Sequence, residues 1–169
     1  MIQIRKQVKY KHPIGDVWAA ITDKHAIAEW LMPNDFEPVK GHKFRFQTDP
    51  SWLCGDVLTR CEVLEIDPPR RMVWSWLDAS PTRPASGPTR LEWSLEEIDG
   101  GTRLTLIHSG VEHMSFWKRS LMRLGWGGML NDSLPKILRN IRGGVFTPGA
   151  IPLHKRYYKA TTVPSELAF

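Results

Sequence analysis

His108 is the side chain of this 169-residue sequence with the widest chemical scope. It continues an alternating run in which Leu104, Leu106 and His108 fall on one side of a predicted strand. Because successive strand side chains point to opposite faces, His108 is expected to point into the interior. There it could orient a polar group of a ligand or exchange a proton near neutral pH. The alternative interpretation is a histidine at the edge of the core, satisfied by a backbone carbonyl or a water molecule.

Tryptophan is unusually frequent, with eight in the chain, and six phenylalanines and six methionines accompany it. Rigid aromatic rings and pliable thioethers can fill a core or line a ligand cavity. Trp74 is expected to be pure core. The residues predicted to line a cavity for a flat or apolar molecule are Trp30, Phe46, Trp76, Trp93, His108, Trp126, Met129 and Leu130. The alternative is that these side chains simply pack the core.

Other catalytic constellations are missing from the sequence. No two histidines have the i, i+4 spacing of a helical zinc site, and there is no Cys-x-x-Cys pair. Phosphate-binding glycine motifs and a Gly-x-Ser-x-Gly nucleophile elbow are also absent. Glu29 and Glu62 are expected to be surface charges. The sequence therefore predicts no catalytic residue, no metal site and no cofactor.

Composition places the chain among globular proteins, with 41% hydrophobic and 24% charged residues. No apolar run approaches the roughly 18 residues of a membrane span, and the first eleven residues lack the apolar stretch of a secretory signal. Cys54 and Cys61 have an odd spacing, which would put them on opposite faces of one strand. Reduced cysteines are typical of a cytoplasmic protein.

The net charge of +5 is concentrated at the two ends of the chain. Basic and aromatic residues interleave at 154–159, a pattern found in contacts with single-stranded nucleic acid. A solvated tail, or an arm that packs on a second subunit in a homodimer, is favoured over nucleic-acid binding. The basic residues are spaced apart and do not form a block.

The elements that would position these side chains follow from periodicity. A strand ends at Tyr10, and a helix that starts near Pro13 carries an apolar stripe. Asp23 is the expected N-cap of a second helix, which Pro33 ends. Between residues 35 and 109 the period becomes two, and Asp99-Gly100-Gly101 marks a tight turn. Successive strands without intervening helices predict an antiparallel meander, with a loop at 79–88.

Helical spacing returns near Met114. The apolar face is predicted to comprise Leu121, Leu124, Met129, Leu130, Leu134, Ile137, Leu138 and Ile141. Glycines at 125, 127 and 128, followed by Pro135, predict a kink or two consecutive helices. Gly143-Gly144 ends the helical region. We therefore predict one domain over residues 1–144 and an irregular extension over 145–169.

Several ordered segments resemble the START-like, or SRPBCC, superfamily. They are Val17-Trp18-Ala19-Ala20-Ile21-Thr22-Asp23, Ala28-Glu29-Trp30-Leu31, Gly55-Asp56-Val57, the run from Glu65 to Trp76 and Gly125-Trp126. The branch it resembles is named for homology to the activator of the ninety-kilodalton heat-shock chaperone's ATPase. The resemblance implies an α+β helix-grip fold, in which a curved antiparallel sheet of about six or seven strands wraps a long C-terminal helix. It also implies a deep apolar cavity between them.

Three functional hypotheses fit this reading. The leading one is a cytoplasmic protein that binds a hydrophobic small molecule between the sheet and the C-terminal helix, with His108 setting its orientation. The second is a cyclase or dehydratase that uses the same cavity for proton transfer. The third is a protein-interaction module of the co-chaperone type.

Overall fold

A computed structural model describes residues 2–47, 58–79 and 87–159 of the chain. Cys54, the Gly55-Asp56-Val57 segment, most of the predicted 79–88 loop and the end of the predicted extension lie outside the described residues. Cys61 is buried, and burial raises the pKa of its thiol well above the ordinary value. This thiol is therefore held in its unreactive protonated form.

Within the described residues, six strands form one antiparallel sheet. They are β1 (Gln3–Tyr10), β2 (Lys43–Gln47), β3 (Leu58–Asp67), β4 (Arg71–Ala79), β5 (Thr89–Ile98) and β6 (Gly101–Ser109). Their order is β1-β6-β5-β4-β3-β2, so the predicted meander is confirmed and the first strand pairs with the last. The sheet and its C-terminal helix confirm the predicted α+β fold of helix-grip type.

Alternation along β5 and β6 sets the inner face. Buried and partly exposed residues alternate through β6, and the same pattern covers most of β5. The register aligns His108 with Leu91 of β5 and Ile4 of β1. The predicted turn is confirmed by Gly100, whose φ of 77° is the left-handed conformation that favours glycine. His108 is thereby fixed on the face that the helices cover.

A bulge in β3 bends the sheet. The pairing of β3 with β4 shifts register between Val63 and Glu65. An extra residue on one strand kinks that strand and increases its twist. The bend lets the inner face wrap the aromatic core.

Two short helices cover the inner face after β1. α1 (Ile14–Thr22) follows Pro13, and α2 (Lys24–Trp30) begins at the predicted cap Asp23, whose carboxylate accepts from the backbone N–H groups of His25 and Ala26. The Trp30 indole donates to the Ala20 carbonyl at 2.8 Å. That carbonyl lies in the last turn of α1, where intrahelical donors run out, so the bond ties the two helices together.

The C-terminal helical region is continuous but irregular. α3 (Phe116–Gly128) leads into a π-helical turn (Met129–Ser133) and then α4 (Leu134–Arg139). Pro135 lies in the first turn of α4, where its missing N–H costs least. The wider turn before it accommodates the proline, so the predicted interruption is confirmed.

One part of the predicted apolar face is wrong. Leu121 and Leu124 are exposed, whereas the other predicted positions are buried: Met129, Leu130, Leu134, Ile137, Leu138 and Ile141. α3 exposes these two leucines to solvent and buries Trp126 near its C-terminal end. The spacing alone did not distinguish an inward stripe from an outward one.

The chain beyond α4 returns to the core. A short hairpin joins β7 (Ile141–Arg142) to β8 (Val145–Phe146), and Phe146 and Ile151 are buried. The expectation that Glu29 is a surface charge is wrong. Its buried carboxylate accepts the N–H groups of Gly149 at 2.7 Å and Ile151 at 2.8 Å.

Candidate functional site

His108 lies fully buried in β6 and belongs to a directed chain of hydrogen bonds. The Trp126 indole N–H donates to Nδ1 of His108 at 3.3 Å. Nε2 of His108 lies 2.7 Å from Oγ1 of Thr89, and the Thr89 hydroxyl donates to the Trp76 carbonyl at 3.0 Å. Because the Thr89 proton is committed to that carbonyl, Nε2 must carry the imidazole proton. Nδ1 is therefore an acceptor, and the ring is neutral.

Burial lowers the pKa of His108 to about 4, and the negative charge of Asp78 opposes that shift. Desolvation disfavours the imidazolium form, which explains the direction. Protonation of Nδ1 would also place two N–H donors face to face, since Trp126 already donates there. The site thus holds its histidine as a neutral acceptor at physiological pH.

Asp78 forms the polar end of the site. Its carboxylate accepts from the Trp76 indole at 2.9 Å and from the Thr59 hydroxyl at 3.0 Å. The Lys118 ammonium of α3 lies 3.3 Å from the same carboxylate. The sheet and the helix are therefore joined by an ion pair at this end and by the Trp126–His108 bond further along.

Sequence reasoning missed Asp78, Thr89 and Lys118. The signal for Asp78 was present, because it lies two residues after Trp76 and so shares its face. Thr89 follows the proline-rich segment and carried no marker of its own. Lys118 lies in the predicted helical region and has no neighbouring sequence motif that indicates a partner on the sheet.

All eight residues predicted to line a cavity lie in the buried core: Trp30, Phe46, Trp76, Trp93, His108, Trp126, Met129 and Leu130. Trp126 is the hub, because its ring centre lies 5.7 Å from that of Trp76, 5.8 Å from that of Trp93 and 6.2 Å from that of His108.

The other predicted residues join this cluster from its sides. Phe46 contacts Trp76 with ring centres 5.5 Å apart, and Trp30 contacts Trp93 at 5.8 Å. Met129 and Leu130 lie in the π-helical turn, where the Leu130 carbonyl accepts from the Tyr10 hydroxyl at 2.6 Å. The aromatic residues and His108 thus form one connected group, with the π-helical turn beside β1.

Two indole donors in this interior lack an acceptor within the described part of the chain. Nε1 of Trp74 and Nε1 of Trp93 are buried without a hydrogen-bond partner, and the two rings lie 5.4 Å apart. Buried N–H groups are normally paired, since leaving one unpaired costs about 1–3 kcal/mol. Both rings pack among other aromatic rings of the interior.

Two cavities lined by described residues lie away from the aromatic cluster. One of about 420 Å³ is formed beside the β5–β6 turn and the start of α1, and one of about 240 Å³ lies between β1 and α3. Over residues 2–47, 58–79 and 87–159, no group of three or more metal-ligating side chains comes together. No helix within the same ranges is both long and apolar enough to cross a membrane.

A bent antiparallel sheet closed by a long C-terminal helix defines a helix-grip protein. The match to a family model then fixes the branch: residues 11–139 match the family described as activator of Hsp90 ATPase homolog 1-like protein, and the chain belongs to it. None of the curated proteins compared gives a significant match.

Solved structures support the same fold. A protein from Mesorhizobium loti is 26% identical with a TM-score of 0.72, and the alignment covers 83% of this chain and 99% of that one. CalU16 from Micromonospora echinospora is also 26% identical, with a TM-score of 0.63 and coverage of 81% and 74%. A protein of the dynemicin biosynthetic locus is 20% identical, with a TM-score of 0.68 and coverage of 81% and 47%.

Proposed function

We propose that the chain is a cytoplasmic small-molecule binding protein. It holds a hydrophobic or aromatic ligand between the sheet and the C-terminal helix. The ligand contacts the aromatic cluster around Trp126, and His108 sets its orientation. Apolar burial supplies most of the affinity, and a few polar groups fix the pose.

The observation that carries this proposal is the pair of unpaired indole donors. The Nε1 N–H groups of Trp74 and Trp93 are both buried without a partner, and the two ring centres lie 5.4 Å apart in the aromatic interior. A ligand carbonyl or hydroxyl oxygen between the sheet and the helix would give them an acceptor. Such a bond is worth about 0.5–1.5 kcal/mol net in addition to the apolar contacts.

His108 adds a complementary group. Its Nδ1 accepts from Trp126 over 3.3 Å, which is long for a hydrogen bond to nitrogen. A ligand hydroxyl can replace that donor without changing the tautomer that Thr89 fixes. The site therefore suits a flat apolar molecule that carries both an acceptor oxygen and a hydroxyl.

Entry requires a movement of α3 away from the sheet. The first half of α3 is largely exposed. The contacts that tie α3 to the sheet include the Lys118–Asp78 ion pair near its start and the Trp126–His108 bond near its end. Gly125, Gly127 and Gly128 weaken the helix beside Trp126, because glycine costs about 1 kcal/mol relative to alanine in a helix interior. We infer that α3 pivots near its glycines to admit a ligand.

The test is a screen of aromatic metabolites that carry carbonyl and hydroxyl groups. Ligands are expected to raise the melting temperature with concentration and to change tryptophan fluorescence. A library of this chemistry that gives neither response would overturn the proposal. An amide-protection map by hydrogen exchange should then locate the bound ligand against β4, β5 and α3.

Two matched variants examine the role of the indole donors. Trp93→Phe removes an unpaired N–H, whereas Trp30→Phe makes the same change at an indole bonded to the Ala20 carbonyl. We expect Trp30→Phe to lower the free energy of unfolding by about 1–2 kcal/mol more than Trp93→Phe. Trp93→Phe should weaken ligand binding by about fivefold to tenfold. Equal affinity in the wild type and Trp93→Phe would exclude that donor from the ligand site.

A cyclase or dehydratase is the second candidate, and Asp78 is the observation that favours it. The negative charge of Asp78 acts on His108, so the site contains two titratable groups that interact. If the protein is an enzyme, the wild type should convert the ligand to a product, and both His108→Gln and Asp78→Asn should lose this activity. Mass spectrometry of a bound ligand recovered unchanged from the wild type after long incubation would support binding alone.

A further inference from the structure

The first half of α3 presents an apolar stripe to solvent. Phe116, Trp117, Leu121 and Leu124 are 66%, 76%, 59% and 72% exposed. With about 100° between successive residues, the four side chains fall within an arc of about 140°. The opposite side of the helix buries Trp126. An outward stripe this rich in large apolar side chains marks an interaction surface.

Two arginines border the stripe. Arg119 and Arg123 are one helical turn apart, and within the described ranges neither guanidinium has a carboxylate partner. Both line the 240 Å³ cleft between β1 and α3, together with the Ser120 hydroxyl and Phe116. The cleft therefore combines two cations and a hydroxyl with an apolar rim. Arginine suits phosphate because its planar fork can donate two parallel hydrogen bonds.

The charge around the stripe indicates which kind of partner can bind it. Between His113 and Asn131 the chain has three basic residues and no acidic one. A two-fold dimer through α3 would bring Arg119 and Arg123 of both copies onto one self-complementary surface, where like charges repel. An anionic surface neutralises them. Tryptophan and phenylalanine beside leucine and basic residues are typical of helices that lie in the membrane interface.

We propose that α3 docks the protein on anionic lipid membranes. Trp117, Leu121 and Leu124 enter the headgroup–acyl boundary, and a lipid phosphate binds Arg119 and Arg123 in the cleft. The docking surface lies on the outside of α3 and does not depend on the ligand site inside.

The experiment is vesicle flotation of the full chain at low salt. Vesicles of phosphatidylcholine with phosphatidylglycerol are compared with vesicles of phosphatidylcholine alone. The protein is expected to float with the anionic vesicles, to stay behind with the neutral ones, and to be released by added salt. Absence of flotation with anionic vesicles, or equal flotation with both, overturns the proposal.

Matched variants separate the surface from general charge attraction. Arg119→Gln with Arg123→Gln should lower vesicle partition by about thirtyfold, since each basic residue near an anionic membrane contributes about a fivefold effect. Lys40→Gln with Lys43→Gln removes the same charge near β2, at the opposite edge of the sheet, and should change partition little. An equal loss in both pairs overturns the proposal.

The apolar stripe has its own pair. Leu121→Ser with Leu124→Ser should lower partition by about tenfold or more, whereas Val145→Ser, at another exposed apolar position, should not. Trp117→Ser gives the same comparison if the double variant fails to fold. Light scattering measures the molar mass of the wild type and of the double leucine variant. If the wild type is a dimer and the variant a monomer, the stripe mediates self-association and the membrane proposal is overturned.

Discussion

His108 couples folding to pH because its folded pKa of about 4 lies below the ordinary value of 6.5. Between these values the unfolded chain binds a proton that the folded chain excludes. The contribution to stability is complete above about pH 6.5 and is lost as the pH falls toward 4. Its size is on the order of 3 kcal/mol.

We therefore expect urea unfolding of the wild type to show a steeper loss of stability between pH 7 and pH 5 than that of His108→Gln. The glutamine does not titrate, so the difference between the two curves isolates the imidazole. Parallel curves would mean that His108 has an ordinary pKa in the folded chain. Both proteins keep Asp78 and Lys118, so the comparison changes only the side chain at position 108.

The inward position of His108 could be predicted from alternation, but its partners could not. Leu104, Leu106 and His108 show the period of two directly, since each strand carries that pattern in its own residues. The Trp126–His108 bond joins positions from a helix and a strand, and Glu29 binds backbone groups about 120 residues away. Such contacts depend on how elements pack, which local periodicity does not encode.

At the scale of elements, the glycines of α3 make distinct contributions. A methyl group on Gly125 would meet nothing within 4 Å, whereas one on Gly128 would overlap the Tyr157 hydroxyl. The tail thus crosses α3 where only glycine leaves it room. This contact explains one of the glycines that the sequence showed as costs to the helix.

We expect Gly125→Ala to raise the free energy of unfolding by about 0.5–1 kcal/mol, because alanine has the higher helix propensity. Gly128→Ala should raise the free energy of unfolding by a smaller amount, because the Tyr157 ring must move aside. Chemical unfolding of both variants measures the difference. A Gly128→Ala variant as stable as Gly125→Ala would show that the tail is not seated on α3 in solution.

The outward stripe of α3 could not be predicted from the spacing of its apolar residues. Leu121 and Leu124 have the spacing of a buried face, and the same spacing serves an interaction surface equally well. The distinction lies in the tertiary position of the helical region. Its later turns bury the apolar face, whereas the side of α3 that carries Leu121 and Leu124 faces solvent. Only the exposed fractions of these side chains reveal which face is which.

At the scale of the molecule, the chain after α4 completes the core. Phe146 and Ile151 are buried, and Glu29 is satisfied by Gly149 and Ile151, with Arg156 3.6 Å from its carboxylate. Loss of a buried phenylalanine alone typically costs about 3–5 kcal/mol. The segment from 145 to 156 therefore contributes to stability as well as to surface.

A truncation after Gly144 should lower the free energy of unfolding by several kcal/mol, on the order of 3–5 for the buried phenylalanine. A truncation after Lys159 retains these contacts and serves as its control. Circular dichroism with urea compares both with the full chain. Equal stability of the two truncations would show that residues 145–159 contribute nothing to the folded state.

The pairing of β1 with β6 determines how late in synthesis the sheet can be completed. Gln3 aligns with Ser109 and Tyr10 with Thr102, so the leading segment leaves the ribosome long before its neighbour exists. Bringing such distant positions together is slow. Arg5 and Lys9 are exposed in the folded protein. Before β6 is made, their positive charges lie on the unpaired β1 segment and disfavour its pairing with a strand of another nascent chain. The six-stranded sheet can therefore be completed only after Ser109 has been synthesised.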